Sequence, residues 1–218
     1  MNDILRDLID MEDVVAFMDN MLVGTENEKK HDKIVEEVLR RIEENGLYIK
    51  QEKYVWKVKE INFLGLVIEI EEIKIQEEKV AGALEWPRSK TVKEVQKFLG
   101  LANYYRQFVK DFAKLAKLLY RLVRKDKKWN WGEKQEAVFK ELKRVFTVRP
   151  VLVVPDLDKK MRVEADALEY AIGGVLLMKC EDEKWRPVAF ISKSLNKAER
   201  NYEIHDREML AIIRYLEE

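Results

Sequence analysis

The residues Phe17-Met18-Asp19-Asn20 join two short apolar runs of the chain, Val14–Phe17 and Met21–Val23. Because Asp and Asn tolerate positive φ, two apolar strands joined at Asp19-Asn20 predict a β-hairpin. A carboxylate at the tip of a hairpin faces solvent and is a candidate ligand for a divalent metal ion. Asp-Asn is also ordinary turn chemistry, and the local sequence leaves both interpretations open.

Two more carboxylates lie in the last third of the chain. Asp166 ends the alternating segment Met161–Asp166, which predicts a strand, and Glu208 lies in a helix predicted from about Glu203 to the C-terminus. From the residues alone, we favour the interpretation that Asp166 caps a strand end and that Glu208 is a solvated helix residue.

Basic charge is concentrated in the middle of the chain. Residues 86–131 contain 13 Lys and Arg against 3 Asp and Glu, whereas residues 1–85 contain 12 against 21 and residues 132–218 contain 16 against 17. Cations recur there every three or four positions, which predicts a basic stripe on one helix face. The candidate nucleic-acid-binding residues are Lys110, Lys114, Lys117, Arg121, Arg124 and Lys125.

Dense cationic side chains bind phosphates without catalytic precision, and neighbouring aromatic rings can stack on sugar or base. The aromatic residues in or beside the basic block are Trp86, Tyr104, Tyr105, Trp129 and Trp131. A solvated helix face with its aromatic residues in the core is the alternative interpretation. The pattern alone leaves these two readings open.

The surrounding elements predict an α+β fold. Thr25-Glu26-Asn27-Glu28 has the spacing of a capping box and predicts a helix that packs on the hairpin. Strand-like runs follow near Leu47–Ile49, Ile61–Ile68 and Ile73–Ile75. From Thr91 the pattern is helical, with a third helix over Glu133–Phe146, and then three strands and a helix are predicted after Val151.

Composition narrows the class of protein. The chain has 218 residues, of which 47% are hydrophobic and 38% charged, so it can bury a core and keep a charged surface. One cysteine excludes an internal disulfide and fits a reducing compartment. No apolar run approaches the length of a membrane span. We therefore expect a protein located inside the cell, in the cytoplasm or nucleus, that does not act at a membrane.

The order of the motifs is more specific than any one of them. Phe17-Met18-Asp19-Asn20 resembles the aromatic-x-Asp-Asp box of reverse transcriptases, and the segments after it resemble the Pol polyprotein of gypsy-type LTR retrotransposons. These segments are Phe63-Leu64-Gly65-Leu66-Val67-Ile68, Glu85-Trp86-Pro87, Phe98-Leu99-Gly100-Leu101-Ala102-Asn103-Tyr104-Tyr105-Arg106, Pro150-Val151-Leu152, the Asp166 strand, Arg186-Pro187-Val188-Ala189 and Ala198-Glu199-Arg200-Asn201-Tyr202. The resemblance runs from about Val14 to the C-terminus.

The resemblance implies three regions: the C-terminal part of a reverse-transcriptase palm at 1–85, a helical thumb and connection at 86–149, and the N-terminal part of a ribonuclease H-like domain at 150–218. It implies Asp19 as a polymerase metal ligand and catalytic residue. Asp166 and Glu208 are the corresponding ribonuclease residues. The implied cofactor is Mg²⁺ or Mn²⁺. The implied partners are an RNA–DNA hybrid or primer–template duplex, together with another Pol chain.

The chain also departs from the family pattern. Asn20 replaces the second aspartate of the box, and Ala165-Asp166-Ala167-Leu168 stands where the family has Thr-Asp-Ala-Ser. The resemblance places further carboxylates before Met1 and after Glu218. We therefore expect no polymerase activity from this chain alone. We also expect an open strand edge at Met161–Asp166, which would leave the C-terminal part loosely ordered or prone to aggregation.

Three hypotheses follow. The chain is part of a reverse transcriptase and ribonuclease H, whose family reactions are RNA-directed DNA synthesis and cleavage of the RNA strand of a hybrid. Alternatively, it is a catalytically dead nucleic-acid-binding module that uses the basic thumb. The third possibility is a decayed gene product without a function.

Overall fold

The computed structural model describes residues 3–25, 27–148 and 151–217. The helices are α1 (Arg6–Asp10), α2 (Glu28–Glu44), α3 (Glu77–Leu84), α4 (Val92–Tyr104), α5 (Phe112–Leu122), α6 (Glu133–Thr147) and α7 (Ile204–Leu216). The strands are β1 (Val14–Phe17), β2 (Asn20–Val23), β3 (Glu60–Phe63), β4 (Leu66–Glu69), β5 (Glu72–Ile75), β6 (Leu152–Val153), β7 (Met161–Ala167), β8 (Ala171–Lys179) and β9 (Trp185–Ser194). The chain divides into two compact units, 1–58 and 59–218.

The first unit is the β1–β2 hairpin with α1 and α2. Strands β1 and β2 pair antiparallel, and the apolar side of α2 contributes Val38 and Ile42 to a small core with Leu5, Leu8 and Val14. This confirms the prediction of a helix packed on the hairpin. Burial of these aliphatic side chains is the main force that holds the unit together.

Paired charges link α1 to α2 on the surface of this unit. The Arg41 guanidinium hydrogen-bonds both oxygens of Asp7, and its Nε lies 2.6 Å from Glu37 Oε1. Hydrogen bonding to Arg41 lowers the pKa of Asp7 to about 2. Hydrogen bonds from Arg40 and then Arg41 lower the pKa of Glu37 to about 2. The two carboxylates therefore favour the folded state only while they are ionised.

Acid is expected to weaken the first unit. Because the folded pKa values of Asp7 and Glu37 lie below their ordinary values, their contribution is present above about pH 4.5 and is lost as the pH falls towards about 2. The urea-unfolding midpoint, measured from pH 6 to pH 2, should fall less steeply in Asp7→Asn/Glu37→Gln than in the wild type. The exposed Asp10→Asn serves as the control, and an equal slope in all three proteins would contradict the linkage.

The second unit begins with an antiparallel sheet in the order β3-β4-β5-β6. Helices α3, α4, α5 and α6 share one core that runs from Ile75 to Leu152. Its centre is aromatic: the ring centroids of Phe98 and Phe139 are 4.5 Å apart, and Trp86 meets Phe98 edge-on. Since sheet and helices share this core, the position of α5 is fixed by the packing of the whole helical region.

Two tyrosines at the end of α4 hold the tip of the β3–β4 hairpin. Leu64 and Gly65 form its two-residue turn, and both have positive φ, at +50° and +82°. Tyr104 Oη donates to the Leu64 carbonyl at 2.5 Å and Tyr105 Oη donates to the Gly65 carbonyl at 3.3 Å. The Gly65 carbonyl also accepts from the Gln76 backbone N–H at 3.1 Å, so both turn carbonyls have hydrogen-bond donors.

The last part of the second unit is a three-stranded antiparallel sheet in the order β7-β8-β9, with α7 on one face and α5 on the other. Ile172, Leu195, Ala211 and Tyr215 form its core on the α7 side. Among the described residues, β7 pairs only with β8, so its other edge is open. The expectation that the C-terminal part is loosely ordered or prone to aggregation stays a prediction.

Most element predictions are confirmed, including α4, α6, β7, β8, β9 and α7. The prediction of a strand at Leu47–Ile49 is wrong, because this segment pairs with no other strand. The strand-like run predicted at Ile61–Ile68 forms two strands, β3 and β4, joined as a hairpin. The helix α2 begins at Glu28, with Asn27 instead of Thr25 as its cap. Glu26 and Pro150 lie outside the described residues, and the predicted domain boundaries at 85 and 149 stay predictions.

Within the described residues, none of the helices combines the length and apolar character that a membrane-spanning helix needs.

Candidate nucleic-acid interface and carboxylate sites

Asp19 lies at the tip of the β1–β2 hairpin, as predicted, but the turn is shifted by one residue. Phe17 pairs with Asn20, so the two turn residues are Met18 and Asp19, and Asn20 belongs to β2. The positive φ falls on Met18 (+55°), whose side chain is 79% exposed. Positive φ is uncommon for a large side chain and stores strain in the turn.

The Asp19 carboxylate is exposed to solvent and has a single polar neighbour in its own turn. Asn20 Nδ2 donates to Asp19 Oδ1 at 3.3 Å. The amide therefore orients the carboxylate but adds no negative charge. A single exposed carboxylate binds Mg²⁺ weakly, because this ion keeps its water shell unless several oxygen ligands replace it.

Asp166 lies near the C-terminal end of β7, opposite Gly173 of β8. Cross-strand partners share a face, so the Asp166 side chain points to the same face as the position of Gly173. Asp111, the residue before α5, approaches this face: its Oδ1 is 2.7 Å from the point that a Cβ on Gly173 would occupy. Sequence analysis did not identify Asp111, because no local pattern indicates a contact between residues 62 positions apart.

The pKa of Tyr215 in α7 is affected by the charges of Asp111 and Asp166. Burial raises the pKa of the Tyr215 phenol, and the negative charges of Asp111 and Asp166 raise it further. Tyr215 Oη donates to the Ile191 carbonyl at 2.8 Å, which holds the phenol in its protonated form. The charges of the two carboxylates therefore act on a phenol that lies on the other face of the sheet, where Tyr215 approaches Gly174.

Glu208 lies on the solvent side of α7. Its side chain is 58% exposed, and its Oε2 lies 4.0 Å from His205 Nδ1, one turn earlier. In the part of the chain that the structure describes, no three His, Cys, Asp or Glu side chains converge closely enough to hold a metal ion. The residues present therefore do not fit a two-metal centre, and the metal and catalytic roles of Asp19, Asp166 and Glu208 stay predictions.

The predicted basic stripe is partly helical. Helix α5 carries Lys114, Lys117 and Arg121, whereas Lys110 precedes the helix and Arg124 and Lys125 follow it. The opposite side of α5 is buried, with Ala116 and Leu119 fully enclosed. We call the exposed cations the α5 basic surface, which comprises Lys110, Lys114, Arg121, Arg124 and Lys125.

Lys117 differs from the other cations of the stripe. It is half-buried, and its Nζ lies 3.1 Å from the centroid of the Tyr170 ring, at the turn between β7 and β8. A cation over an aromatic face is held there by the ring quadrupole. Lys117 thus links α5 to the turn between β7 and β8. Its predicted contact with nucleic acid would require the cation–π interaction with Tyr170 to break.

The aromatic residues beside the basic block are mostly occupied by protein contacts. Tyr104 and Tyr105 bind the β3–β4 turn, and Trp86 packs on Phe98. Trp131 Nε1 donates to Glu136 Oε2 at 2.8 Å, and Trp129 stacks on Trp131 with 5.9 Å between ring centroids. These contacts favour the core interpretation for Trp86, Tyr105 and Trp131. Tyr104 and Trp129 are instead 54% and 37% exposed.

Two protein-family models match the chain. The model described as "Reverse transcriptase (RNA-dependent DNA polymerase)" matches residues 1–68, and the model described as "RNase H-like domain found in reverse transcriptase" matches residues 131–218. Among curated proteins, the transposon Tf2-7 polyprotein of Schizosaccharomyces pombe is 36% identical over 203 residues, and the Tf2-3 polyprotein of the same organism is 35% identical. Each alignment covers 93% of this chain and 15% of the relative.

Solved structures share the fold. The foamy viral protease-reverse transcriptase in complex with RNA/DNA hybrid is 22% identical, with a TM-score of 0.79 over 98% of this chain and 29% of that chain. The same viral protein in complex with dsDNA gives a TM-score of 0.75 at 21% identity, over 98% of this chain and 45% of that chain. These likenesses confirm the α+β fold with its helical and ribonuclease H-like parts.

Proposed function

Because the chain belongs to the reverse transcriptase and ribonuclease H family of gypsy-type LTR-retrotransposon Pol polyproteins, we propose that it binds an RNA–DNA hybrid or primer–template duplex through the α5 basic surface. One observation carries the proposal. Five exposed cations lie on or beside a helix whose other side is buried in the core, so they form a positively charged surface. Such a surface attracts phosphates and releases their counterions.

The comparisons support nucleic acid as the partner. The foamy viral protease-reverse transcriptase has been solved in complex with RNA/DNA hybrid and with dsDNA, and this chain shares its fold. The chain spans about 15% of the length of its transposon relatives, so activities of the whole polyprotein are proposals for this chain. A binding role inside the cell, where these nucleic acids occur, is the proposal that its own surface supports.

Catalysis by the described residues is not part of the proposal. Reverse transcriptases and ribonuclease H-like proteins generally use divalent metals, but within the described residues no three His, Cys, Asp or Glu side chains converge to hold a metal ion. Two-metal phosphoryl transfer requires several carboxylates around one site. We propose a second Pol chain as the further partner, since it would supply carboxylates that do not converge among the described residues of this chain.

The test is binding of a fluorescent RNA–DNA hybrid over a salt series from about 50 to about 300 mM, with Lys114→Glu/Arg121→Glu compared with the wild type. The wild type should bind with a steep salt dependence. The double variant should bind about tenfold more weakly or worse, and its log–log salt slope should fall by about two, because two phosphate contacts are lost. Lys117 is left unchanged because it contacts Tyr170.

A matched control separates this surface from net charge. Lys134→Glu/Lys140→Glu makes the same charge change on the exposed side of α6 and should bind the hybrid almost as well as the wild type. Equal losses in the two double variants would mean that binding follows overall charge, and no binding by the wild type would overturn the proposal.

Cleavage of the hybrid distinguishes the module from a residual enzyme. With Mg²⁺ or Mn²⁺ present, we expect binding without turnover. Hydrolysis that is abolished by Asp166→Asn would instead assign ribonuclease activity to this chain. Cleavage that appears only after a second Pol chain is added would identify the source of the missing ligands.

A further inference from the structure

The strand β7 has one edge that pairs with no other strand in the part of the chain that the structure describes. Its other edge pairs with β8 in an unbroken antiparallel register from Met161 to Ala167. An open edge presents a row of backbone N–H and C=O groups that can pair with a further strand. Which strand fits there depends on the backbone groups and side chains that β7 presents.

Every second residue of β7 directs its backbone groups to the open edge. The Lys179 N–H donates to the Lys160 carbonyl at 2.9 Å. The Leu168 N–H donates to the Ala171 carbonyl at 2.8 Å. In an antiparallel ladder, residues that bond to one neighbouring strand alternate with residues that point away from it. Even-numbered residues therefore bond to β8, and the residues that point to the open edge are Met161, Val163, Ala165 and Ala167.

The side chains of β7 divide by chemistry between the two faces of the sheet. Apolar side chains occupy the odd positions, on the side of α7, and charged side chains occupy the even positions. The charged side chains are all exposed, in the order Lys160, Arg162, Glu164 and Asp166. Two cations are thus followed by two anions, and a strand with this order is complementary to its own reverse.

Two of these charges already have partners within the chain. Arg162 Nη2 lies 2.7 Å from Glu164 Oε1, and the Arg162 guanidinium carbon lies 4.6 Å from the centroid of the Trp185 ring. Both charged side chains are about half exposed, so a charge from another strand can also reach them. Exposed ion pairs contribute little energy. Their signs therefore serve mainly to select a register, while backbone hydrogen bonds hold the strands together.

One antiparallel register between two copies of the chain pairs opposite charges throughout. Its two-fold axis passes through Val163, which lies opposite Val163 of the second copy. In this register Arg162 lies opposite Glu164 of the second copy, and Lys160 lies opposite Asp166 of the second copy. Opposite charges that face each other across two strands stabilise a sheet, whereas like charges destabilise it. The two-fold axis closes the assembly at two copies.

The neighbouring registers are less favourable. A shift by two residues places either Glu164 or Arg162 opposite the same residue of the second copy, so that like charges meet. A shift by one residue places residues that point to the open edge opposite residues that already bond to β8. In the register centred on Val163, Met161 lies opposite Ala165 of the second copy, and the residues that point to the edge form about six backbone hydrogen bonds.

We propose that β7 binds β7 of a second copy of this chain, so that the two three-stranded sheets join edge to edge about a two-fold axis. Charged side chains at a sheet edge usually prevent such pairing. Here their order makes them attractive between copies. The proposal does not rest on nucleic-acid binding. It is also distinct from the supply of carboxylates by a second Pol chain, because the second copy places a lysine opposite Asp166.

The first experiment is sedimentation equilibrium of the full chain from about 1 to about 100 μM, without nucleic acid. The wild type should form a dimer whose fraction rises with concentration. Arg162→Glu sets like charges opposite each other on both sides of the two-fold axis and should weaken the dimer about tenfold or more. Arg162→Glu/Glu164→Arg restores opposite charges in the same register and should return the dimer to nearly wild-type affinity.

Two further variants control for net charge and for folding. Lys134→Glu makes the same charge change on the exposed side of α6 and should leave dimerisation unchanged. Equal losses in Lys134→Glu and Arg162→Glu would count against the proposal. If Arg162→Glu fails to fold, Ala165→Pro provides the test, since Ala165 is exposed and its N–H points away from β8. Proline removes this donor and is tolerated in edge strands, so a folded Ala165→Pro variant should be monomeric.

Amide hydrogen exchange checks the register in the wild type. As the protein concentration rises, the amides of Met161, Val163 and Ala165 should become protected, because they enter the new ladder. The amides of Arg162 and Glu164 already bond to β8 and should change little. Protection that rises equally at odd and even positions would contradict the register.

Three results would each overturn the proposal: a monomer throughout the concentration range, equal dimerisation of the wild type and Arg162→Glu, or a charge-swapped variant as weak as Arg162→Glu. Assemblies that grow beyond the dimer would also contradict it, because the pairing uses the open edge of both copies. Failure of the chain to bind the hybrid would overturn the proposed function and leave this test unaffected.

Discussion

Gly174→Ala is expected to destabilise the second unit by about 1–3 kcal/mol, as overpacking of a tight site does. Gly174 lies in β8 beneath α7, and an added Cβ would lie 2.6 Å from Tyr215 Oη and would also meet the Glu164 carbonyl oxygen. The first of these belongs to a buried ring and the second to the backbone, so neither can move freely. The clash would push α7 away from β7 and break the hydrogen bond between Tyr215 and Ile191.

The measurement is the free energy of unfolding in urea, with Gly100→Ala as the matched control. Gly100 lies inside α4, and an added Cβ there meets nothing within 4 Å. Alanine at Gly100 should stabilise the protein by about 0.5–1 kcal/mol, since it lowers the entropy lost on folding. Two glycine-to-alanine changes of opposite sign are therefore expected, and equal effects would refute the close packing of α7 on β8.

The sequence predicts elements well where a periodic pattern and a local signal agree. Thr91 precedes an apolar stripe, and it caps α4 by accepting a hydrogen bond from the Glu94 N–H. The alternation before Asp166 predicts β7, and the apolar run Ala171–Met178 predicts β8. Their pairing follows from the short connection between them. These features depend on residues within a few positions of each other.

Local signals compete where two of them overlap. Thr25 and Asn27 are both good caps, and Asn27 is used: its Oδ1 accepts from the Lys30 N–H at 2.8 Å. At the hairpin, Asp19-Asn20 is the better turn pair by residue type, yet the register that pairs Val14 with Val23 places Met18 in the turn. The pairing and packing of both strands outweigh the turn preference of one residue.

The candidate sites depend on contacts that no pattern along the chain encodes. Lys117 has the spacing of a phosphate-binding cation, but it contacts Tyr170 in a sheet that starts 44 residues after the lysine. Asp111 lies in the most basic segment of the chain and approaches Gly173 of β8, the residue that pairs with Asp166 of β7. Sequence therefore predicts which residues are charged, and folding decides which of them share a site.

Phe98→Ala is expected to cost about 3–5 kcal/mol, the largest effect of any change considered, because it leaves a cavity in a core that relaxes only partly. Phe98 is fully buried, and its ring contacts both Phe139 of α6 and Trp86. Its loss would loosen the packing that orients α5 through Leu119. A drop of this size is a large fraction of the stability of an ordinary domain.

Phe98→Ala is expected to weaken hybrid binding only through the loss of folded protein. Phe98 touches none of the cations, so hybrid affinity should fall only as the folded fraction falls and should recover at lower temperature, whereas Lys114→Glu/Arg121→Glu should stay weak at all temperatures. Phe17→Ala, which truncates a phenylalanine that is 50% exposed, is the control and should change stability by less than about 0.5 kcal/mol. If Phe98→Ala unfolds the protein yet leaves hybrid binding unchanged, binding does not depend on a positioned α5, and a flexible basic segment would explain it instead.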